Sequence, residues 1–336
     1  MNCMLGALVG DAAGAVLEFM AGPPTEEQVE HAMTMPGGGR MRVGRGQVTD
    51  DGELTMTLWQ GLITYDTGPE FPVLDILQGY QEWHDSDAFD IGHTCASAFG
   101  KASELFKGGK PTKDELEGYR GFVEERNAFS EANGALMRAS AIVAAGLEKP
   151  AWMTIQNAIE DARLSHPNQV CQEVNAIYVY ACILVLRGFN LIEVLEKLDV
   201  FIKDEIKSEK VLEWYYKDSL DISGLDATER IGHVRWAFTM AMYFLRHPEI
   251  SYKEAIRMTL LKGGDTDTNA AIVGGLVACR HPIPEDMLQP VLRFDSAESG
   301  IRRPIEFCAK YAIVPYLQAT TMNRPPTPIP YFDFPK

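Results

Sequence analysis

Along this chain, apolar residues return every three to four positions, the spacing of helices with one buried face. The pattern predicts helices over 2–19, 51–66, 72–84, 93–107, 133–146, 150–164, 169–187, 190–203, 230–247, 251–262, 266–280 and 305–319. From Val170 to Leu186 the run is nearly continuous apolar, interrupted by Gln172, Glu173 and Asn175, which marks a central helix. Breaks fall at Gly22-Pro23-Pro24, Pro36-Gly37-Gly38-Gly39, Gly108-Gly109-Lys110-Pro111 and His166-Pro167. No stretch alternates as a strand does; Met41 to Val48 predicts at most a short irregular hairpin. Residues 108–128 and 204–229 read as surface insertions. The expected architecture is all-α, a single domain over 1–322 followed by a proline-rich tail over 323–336. That tail is expected to lie extended, or to strap down through Tyr331, Phe332 and Phe334.

Composition narrows the function. A chain of 336 residues can bury a substantial core. Its net charge of -16 repels phosphate backbones and anionic lipid, so neither a nucleic-acid partner nor a membrane surface is expected. No uninterrupted apolar run approaches the length of a membrane span. The six cysteines form no C-x-x-C pair and no zinc or disulfide spacing, which fits free thiols in a reducing compartment. The N-terminal apolar stretch lacks a basic flank and soon meets Asp11 and Glu18, unlike a signal peptide. A cytoplasmic location is the expectation.

Two segments carry candidate chemistry. Gln47-Val48-Thr49-Asp50-Asp51-Gly52-Glu53 and Gly263-Gly264-Asp265-Thr266-Asp267-Thr268-Asn269 each set two carboxylates and hydroxyls at a helix start, after a glycine-containing loop. Two readings stand. Asp and Thr are natural N-caps, and Asp50 with Glu53 fits a capping-box spacing. One cap needs one oxygen, however, and clustered carboxylates repel unless a cation sits among them. Hard oxygen donors without Cys or His suit Mg²⁺ or Mn²⁺, and less specifically Ca²⁺. A third segment adds to this. Gly6, Gly10, Gly14 and Glu18 recur every four residues, on one helical face. Glycine in a helix costs about 1 kcal/mol relative to alanine, so three of them predict close backbone approach to a neighbour. Ala270, Gly274 and Ala278 form a matching stripe. If the two helices run antiparallel, Asp265 and Asp267 lie near Glu18.

Together these segments resemble the ADP-ribosylglycohydrolase family, which includes the dinitrogenase reductase-activating glycohydrolases. Gly6 to Phe19 is similar to the family's N-terminal motif, Thr49-Asp50-Asp51 to its first metal motif, and Gly264 to Ala271 to its second. Asn133-Gly134-Ala135-Leu136-Met137-Arg138 resembles a substrate-loop motif. Ser165-His166-Pro167 with Cys171 resembles the Thr/Ser-His segment, and Asp90-Ile91-Gly92-His93-Thr94 is a weaker match. The matches run in family order from residue 6 to about 280. The chain departs from the pattern at Gly52-Glu53, where many members have Thr then a polar residue, and at Ala139-Ser140-Ala141, where proline is common.

The resemblance implies a compact orthogonal helical bundle with a binuclear metal cleft. It implies two Mg²⁺ or Mn²⁺ ions held by Thr49, Asp50 and Asp51 from one side and Asp265, Asp267 and Thr268 from the other. The activity it implies is hydrolysis of the N- or O-glycosidic bond between ADP-ribose and an acceptor, an arginine or serine side chain first among them, with a monomer acting on an ADP-ribosylated protein or adduct. Glu18, Asp50 and Asp267 are the catalytic candidates, Glu18 as general acid/base or as the group that positions water or the leaving group. Asn133, Gly134, Arg138 and His166 are candidates for holding ADP-ribose, with an ion pair the other reading of Arg138 and a structural role the other reading of His166. Asp90 and His93 read as loop-stabilising. Two other functions stay open: hydrolysis of another ADP-ribosylated small molecule or nucleotide, and ADP-ribose binding without turnover.

Overall fold

The computed structural model describes residues 1–64, 70–301 and 303–320, with side chains described as far as Gln318. The end of the expected 51–66 helix and the proline-rich stretch 323–336 lie outside them. Among the described residues the elements are helical, and β pairing is confined to two isolated bridges, Gly38 with Val43 and Ala132 with His233. The first is all that forms of the expected hairpin.

The first helix, Asn2–Gly14, and the helix Thr266–Val277 make the heart of the fold, and both are almost wholly buried. Their glycine and alanine stripes meet backbone to backbone. A Cβ on Gly6 would lie 2.4 Å from the Gly274 carbonyl oxygen, one on Gly10 2.0 Å from that of Ala270, and one on Gly14 2.4 Å from the Asp267 nitrogen. Residues 6, 10 and 14 thus face 274, 270 and 267 in order, an antiparallel pair. Thr266 Oγ1 and Tyr252 Oη stitch it, donating to the carbonyls of Gly14 (2.9 Å) and Gly6 (2.6 Å).

The expected helix over 2–19 stops at Gly14. The chain turns through 15–19 and reaches Phe19 with φ near 60°, where Gly39 packs against the Val16 backbone. The central helix is Gln169–Leu186, capped by Asn168 and buried along nearly its whole length. Its polar interruptions have partners. Glu173 accepts from the backbone of Lys207 (2.9 Å), and Asn175 donates to the Cys171 carbonyl (2.8 Å).

Two segments expected as surface insertions contain helices. Lys113–Asn127 starts from a capping box of Thr112 and Glu115 and buries Tyr119 and Val123. Glu209–Tyr216 buries Val211, Trp214 and Tyr215. Conversely, the helices expected from 133 and 230 begin only at Ala139 and Val234. Their first residues are drawn into paired loops instead: Asn133 N donates to the Gly232 carbonyl (3.0 Å) and Val234 N to that of Glu131 (2.9 Å). Short helices over Glu26–Ala32 and Glu285–Arg293 were not anticipated, and 305–319 divides into Ile305–Phe307, Ala309–Ala312 and Val314–Thr320.

Candidate active site

The site is assembled at the C-terminal end of the first helix. Asp11 is fully buried in an otherwise apolar helix, and the next motif is built around it. Its carboxylate accepts from Thr49 N (3.0 Å to each oxygen), Thr49 Oγ1 (2.9 Å) and Gly52 N (2.8 Å). Asp11 therefore satisfies the amides at the start of the Asp50–Thr64 helix from another part of the chain. This tells against capping by the motifs' own carboxylates. The Asp50–Glu53 capping box does not form, because Glu53 is committed to Arg303 Nε (3.0 Å) and Trp83 Nε1 (2.7 Å). Asp265 occupies the N-cap position of its helix but makes no side-chain cap; its Oδ2 accepts from Asn133 Nδ2 (2.8 Å).

The two motifs, 217 residues apart, meet at Asp51. Its Oδ2 accepts from Thr49 Oγ1 (3.2 Å) and from Thr268 Oγ1 (3.2 Å). Its Oδ1 is buried without a partner, as is Oε2 of Glu18. Ligand-type oxygens gather in two groups, Asp11 with Asp51 and Asp267, and Glu18 with Asp90 and Asp267, each within 4.8 Å of one another. Asp267 belongs to both. A cleft of about 350 Å³ opens onto Glu18, Asp50, Asp90, Asp265, Asp267 and Thr268, with Asn133, Gly134 and His166 also on its walls and no lysine or arginine among its lining residues. A larger groove of about 840 Å³ runs past Trp152, Ile155, Tyr180 and Phe201, but it contains none of the grouped carboxylates.

This crowding shifts the carboxyls upward. Burial raises Glu18 to about 8, aided by the charges of Asp90 and Asp265. Burial raises Asp11 to about 7 against the pull of its Thr49 and Gly52 hydrogen bonds, and raises Asp90 to about 6. Asp50, Asp51 and Asp267 are raised for the same reasons, burial first and neighbouring carboxylates next. With no lysine or arginine on the lining, the arrangement suits a positive charge from outside the chain. Unpartnered hard oxygens match a divalent cation of the Mg²⁺ or Mn²⁺ type.

Among the residues singled out from sequence, Glu18, Thr49, Asp50, Asp51, Asp265, Asp267 and Thr268 come together, and Asn133, Gly134 and His166 reach the same cleft. Arg138 does not. It is fully buried behind the Asn133–Gly134 loop, with Nε donating to Asp161 Oδ2 (2.8 Å), Nη1 to the Gly134 carbonyl (2.8 Å) and Nη2 to Ser165 Oγ (2.9 Å). Its guanidinium also lies 4.8 Å from the Tyr80 ring centroid. The ion-pair reading is the one the geometry gives, and Arg138 supports the loop from beneath.

Two acidic residues were underrated. Asp90 joins the Glu18 and Asp267 group instead of merely bracing its own loop. Asp11 received no role at all, although a carboxylate inside an apolar helix signals a committed partner. Arg303 was also missed. Besides Glu53 it donates to the carbonyls of Ser86 (2.9 Å) and Asp87 (3.0 Å), tying the C-terminal segment to the turn before Asp90.

Among the described residues, helices packed about an acidic cleft are the arrangement that the motif resemblance implies. The chain belongs to the ADP-ribosylglycohydrolase family, whose model matches residues 1–313. It is 26% identical over 327 residues to an ADP-ribosyl glycohydrolase of Acanthamoeba polyphaga mimivirus, covering 90% of this chain and 94% of that one. It is 25% identical over 313 residues to the ADP-ribosyl-[dinitrogen reductase] glycohydrolase of Rhodospirillum rubrum, covering 91% and 94%. A 27% identical match to an ADP-ribosylarginine hydrolase of Pseudomonas putida spans 41% of this chain and 33% of that protein. The fold is shared with a solved ADP-ribosylglycohydrolase-related protein complex, with a TM-score of 0.68 at 21% identity, over 88% of this chain and 92% of that one. The protein is thus an enzyme that cleaves the glycosidic bond of ADP-ribose.

Proposed function

We propose that the enzyme removes ADP-ribose from arginine side chains of modified proteins, using two divalent cations, Mg²⁺ or Mn²⁺. The observation that carries this reading is Asp267, common to both carboxylate groups and so placed to serve two adjacent cations. Thr49, Asp50, Asp51, Asp265, Asp267 and Thr268 would hold them. Asp11, whose oxygens are taken up by Thr49 and Gly52, seats the first motif. When bound, such cations supply Lewis acidity toward water and the ribose hydroxyls.

The remaining work falls to the chain. Asn133, steadied by Asp265, and the Gly134 backbone hold the nucleotide end of the ligand. Glu18, which lines the cleft and carries the unpartnered Oε2, handles the proton or orients water at the anomeric carbon. Glu18 and Asp90 also give the cleft an anionic character that suits a guanidinium acceptor, in keeping with the arginine-directed relative from Pseudomonas putida. The same reading makes the enzyme a monomer in the cytoplasm.

The test is a panel of defined adducts, ADP-ribosyl-arginine, ADP-ribosyl-serine and an ADP-ribosylated nucleotide, assayed with Mg²⁺, with Mn²⁺ and with EDTA. Turnover of the arginine adduct that EDTA abolishes is the expected result. Preference for the serine adduct or the nucleotide would overturn the acceptor assignment, and full activity in EDTA would overturn the cation assignment.

Cation affinity is expected to rise with pH. A carboxyl with a raised pKa must lose its proton before it can ligate. Of the proposed ligands, Asp50, Asp51 and Asp267 are raised. Asp90 near 6, Asp11 near 7 and Glu18 near 8 add negative charge beside them as they ionise, so binding tightens from about pH 6 to about pH 8 and releases protons. The cation-free protein behaves oppositely. Raised carboxyls bind protons more tightly folded than unfolded, so their contribution to its stability is fully present below the ordinary carboxylate range and is lost as pH rises through the folded values. Mn²⁺ should therefore raise the melting temperature more at about pH 8 than at about pH 6. An equal rise at both would argue against a cation held among these carboxyls.

A further inference from the structure

We infer that Ser165 fixes His166 as a neutral ring with its proton on Nε2, so that this wall of the cleft offers one N–H donor to an oxygen of the ligand. The ligand half of the inference rests on the ADP-ribose reading of the cleft; the ring's proton position does not.

The hydrogen-bond chain has a forced direction. A guanidinium only donates, so Arg138 Nη2 gives its proton to Ser165 Oγ (2.9 Å) and occupies a lone pair there. Ser165 Oγ lies 2.8 Å from His166 Nδ1, and both residues are buried. Among the described residues the hydroxyl proton of Ser165 has no other acceptor. Were Nδ1 protonated, Ser165 Oγ would accept from both neighbours and its own buried hydroxyl proton would go unpaired, a cost of about 1–3 kcal/mol in general. The hydroxyl therefore donates to Nδ1, and the ring proton sits on Nε2. Burial, and then the nearby charge of Arg138, also push the imidazole down to about 3, which keeps it neutral.

Nε2 makes no hydrogen bond to the described protein, and the ring lines the cleft beside Gly134, where a Cβ would lie 3.1 Å from Nε2. A neutral ring that already carries a proton on Nε2 neither binds a cation through that atom nor takes up a proton. His166 is thus a binding residue for a phosphoryl or ribose oxygen, and Ser165 is its positioning residue.

Long-range ¹H–¹⁵N NMR of the labelled full-length protein reads the tautomer directly, with His166 assigned among the seven histidines by its loss in His166→Gln. The expected spectrum shows a protonated Nε2 and a bare Nδ1, and Ser165→Ala should convert it to a mixture. Binding of ADP-ribose in the presence of Mn²⁺ gives the second readout. The amide nitrogen of a glutamine takes the place of Nε2 and donates without help from Ser165. Ser165→Ala should therefore weaken binding about tenfold in the parent and only marginally in His166→Gln. A protonated Nδ1 in the parent, an unchanged ring in Ser165→Ala, or equal losses in both backgrounds would overturn the inference. An Nε2–H ring in a parent that binds no ADP-ribose would instead overturn the reading of the cleft and leave the tautomer standing.

Discussion

Replacing Asp267 with alanine is expected to lower kcat/KM on an ADP-ribosylated substrate by at least about 1000-fold. Among the described residues no other carboxylate belongs to both oxygen groups, and Asp267 is enclosed, at 1% exposure. Its loss removes a shared ligand, and excess Mn²⁺ should restore little, because Glu18 and Asp90 on one side and Asp51 on the other remain without the bridge. The fold should survive. In the cation-free state Asp267 sits among like charges, so Asp267→Ala is expected to melt no lower than the parent in EDTA, while losing most of the stabilisation that Mn²⁺ gives the parent. Kinetics and thermal melts on the same preparations check both halves. Turnover within tenfold of the parent would remove Asp267 from the mechanism.

Gly10→Ala is expected to be the most damaging small change in the core. The added methyl would sit 2.0 Å from the Ala270 carbonyl oxygen, well inside contact distance, and the obstacle is backbone on a fully buried helix. Neither helix can yield without moving the next: shifting Thr266–Val277 displaces Asp267, and shifting Asn2–Gly14 displaces Asp11. A cost of about 3 kcal/mol or more follows, enough to lower the denaturation midpoint sharply and to cut the folded yield. Gly118→Ala is the matched control, a helical glycine whose new Cβ would meet nothing within 4 Å. It should stabilise the protein by about 0.5–1 kcal/mol. Equal midpoints for the two variants would show that the glycine stripe is not a contact surface.

The contrast between those glycines shows what could be read from the sequence. Gly6, Gly10 and Gly14 announced a backbone contact because three helix-weakening residues on one face need a compensating reason. Their partner was legible from a second small stripe at 270, 274 and 278. The acidic motifs were legible from excess, since there were more oxygens than caps. What stayed hidden depended on partners far along the chain. Nothing local distinguishes Arg138 facing a phosphate from Arg138 facing Asp161, 23 residues on. Glu53 looked like a cap because Arg303, its actual partner, stands 250 residues away. The Lys113–Asn127 helix was missed for a different reason. Its buried residues, Tyr119, Val123 and Asn127, share one face at four-residue spacing, but only two of them are apolar, too few to stand out among the charged residues around them, although Thr112-Lys113-Asp114-Glu115 spelled out its start.

The pairing of the first helix with one that begins at Thr266 also governs how the molecule is made. During synthesis Asn2–Gly14 emerges well before the surface that must cover its glycine face, which lies about 252 residues downstream. Until then it can pack only against earlier partners such as the Asp50–Thr64 helix while its glycine face stays uncovered, the situation in which folding is slow and chaperones hold unfinished chains. Asp11 cannot be enclosed with Asp267 before that closure, so a ribosome-bound fragment lacking the later helix should be inert.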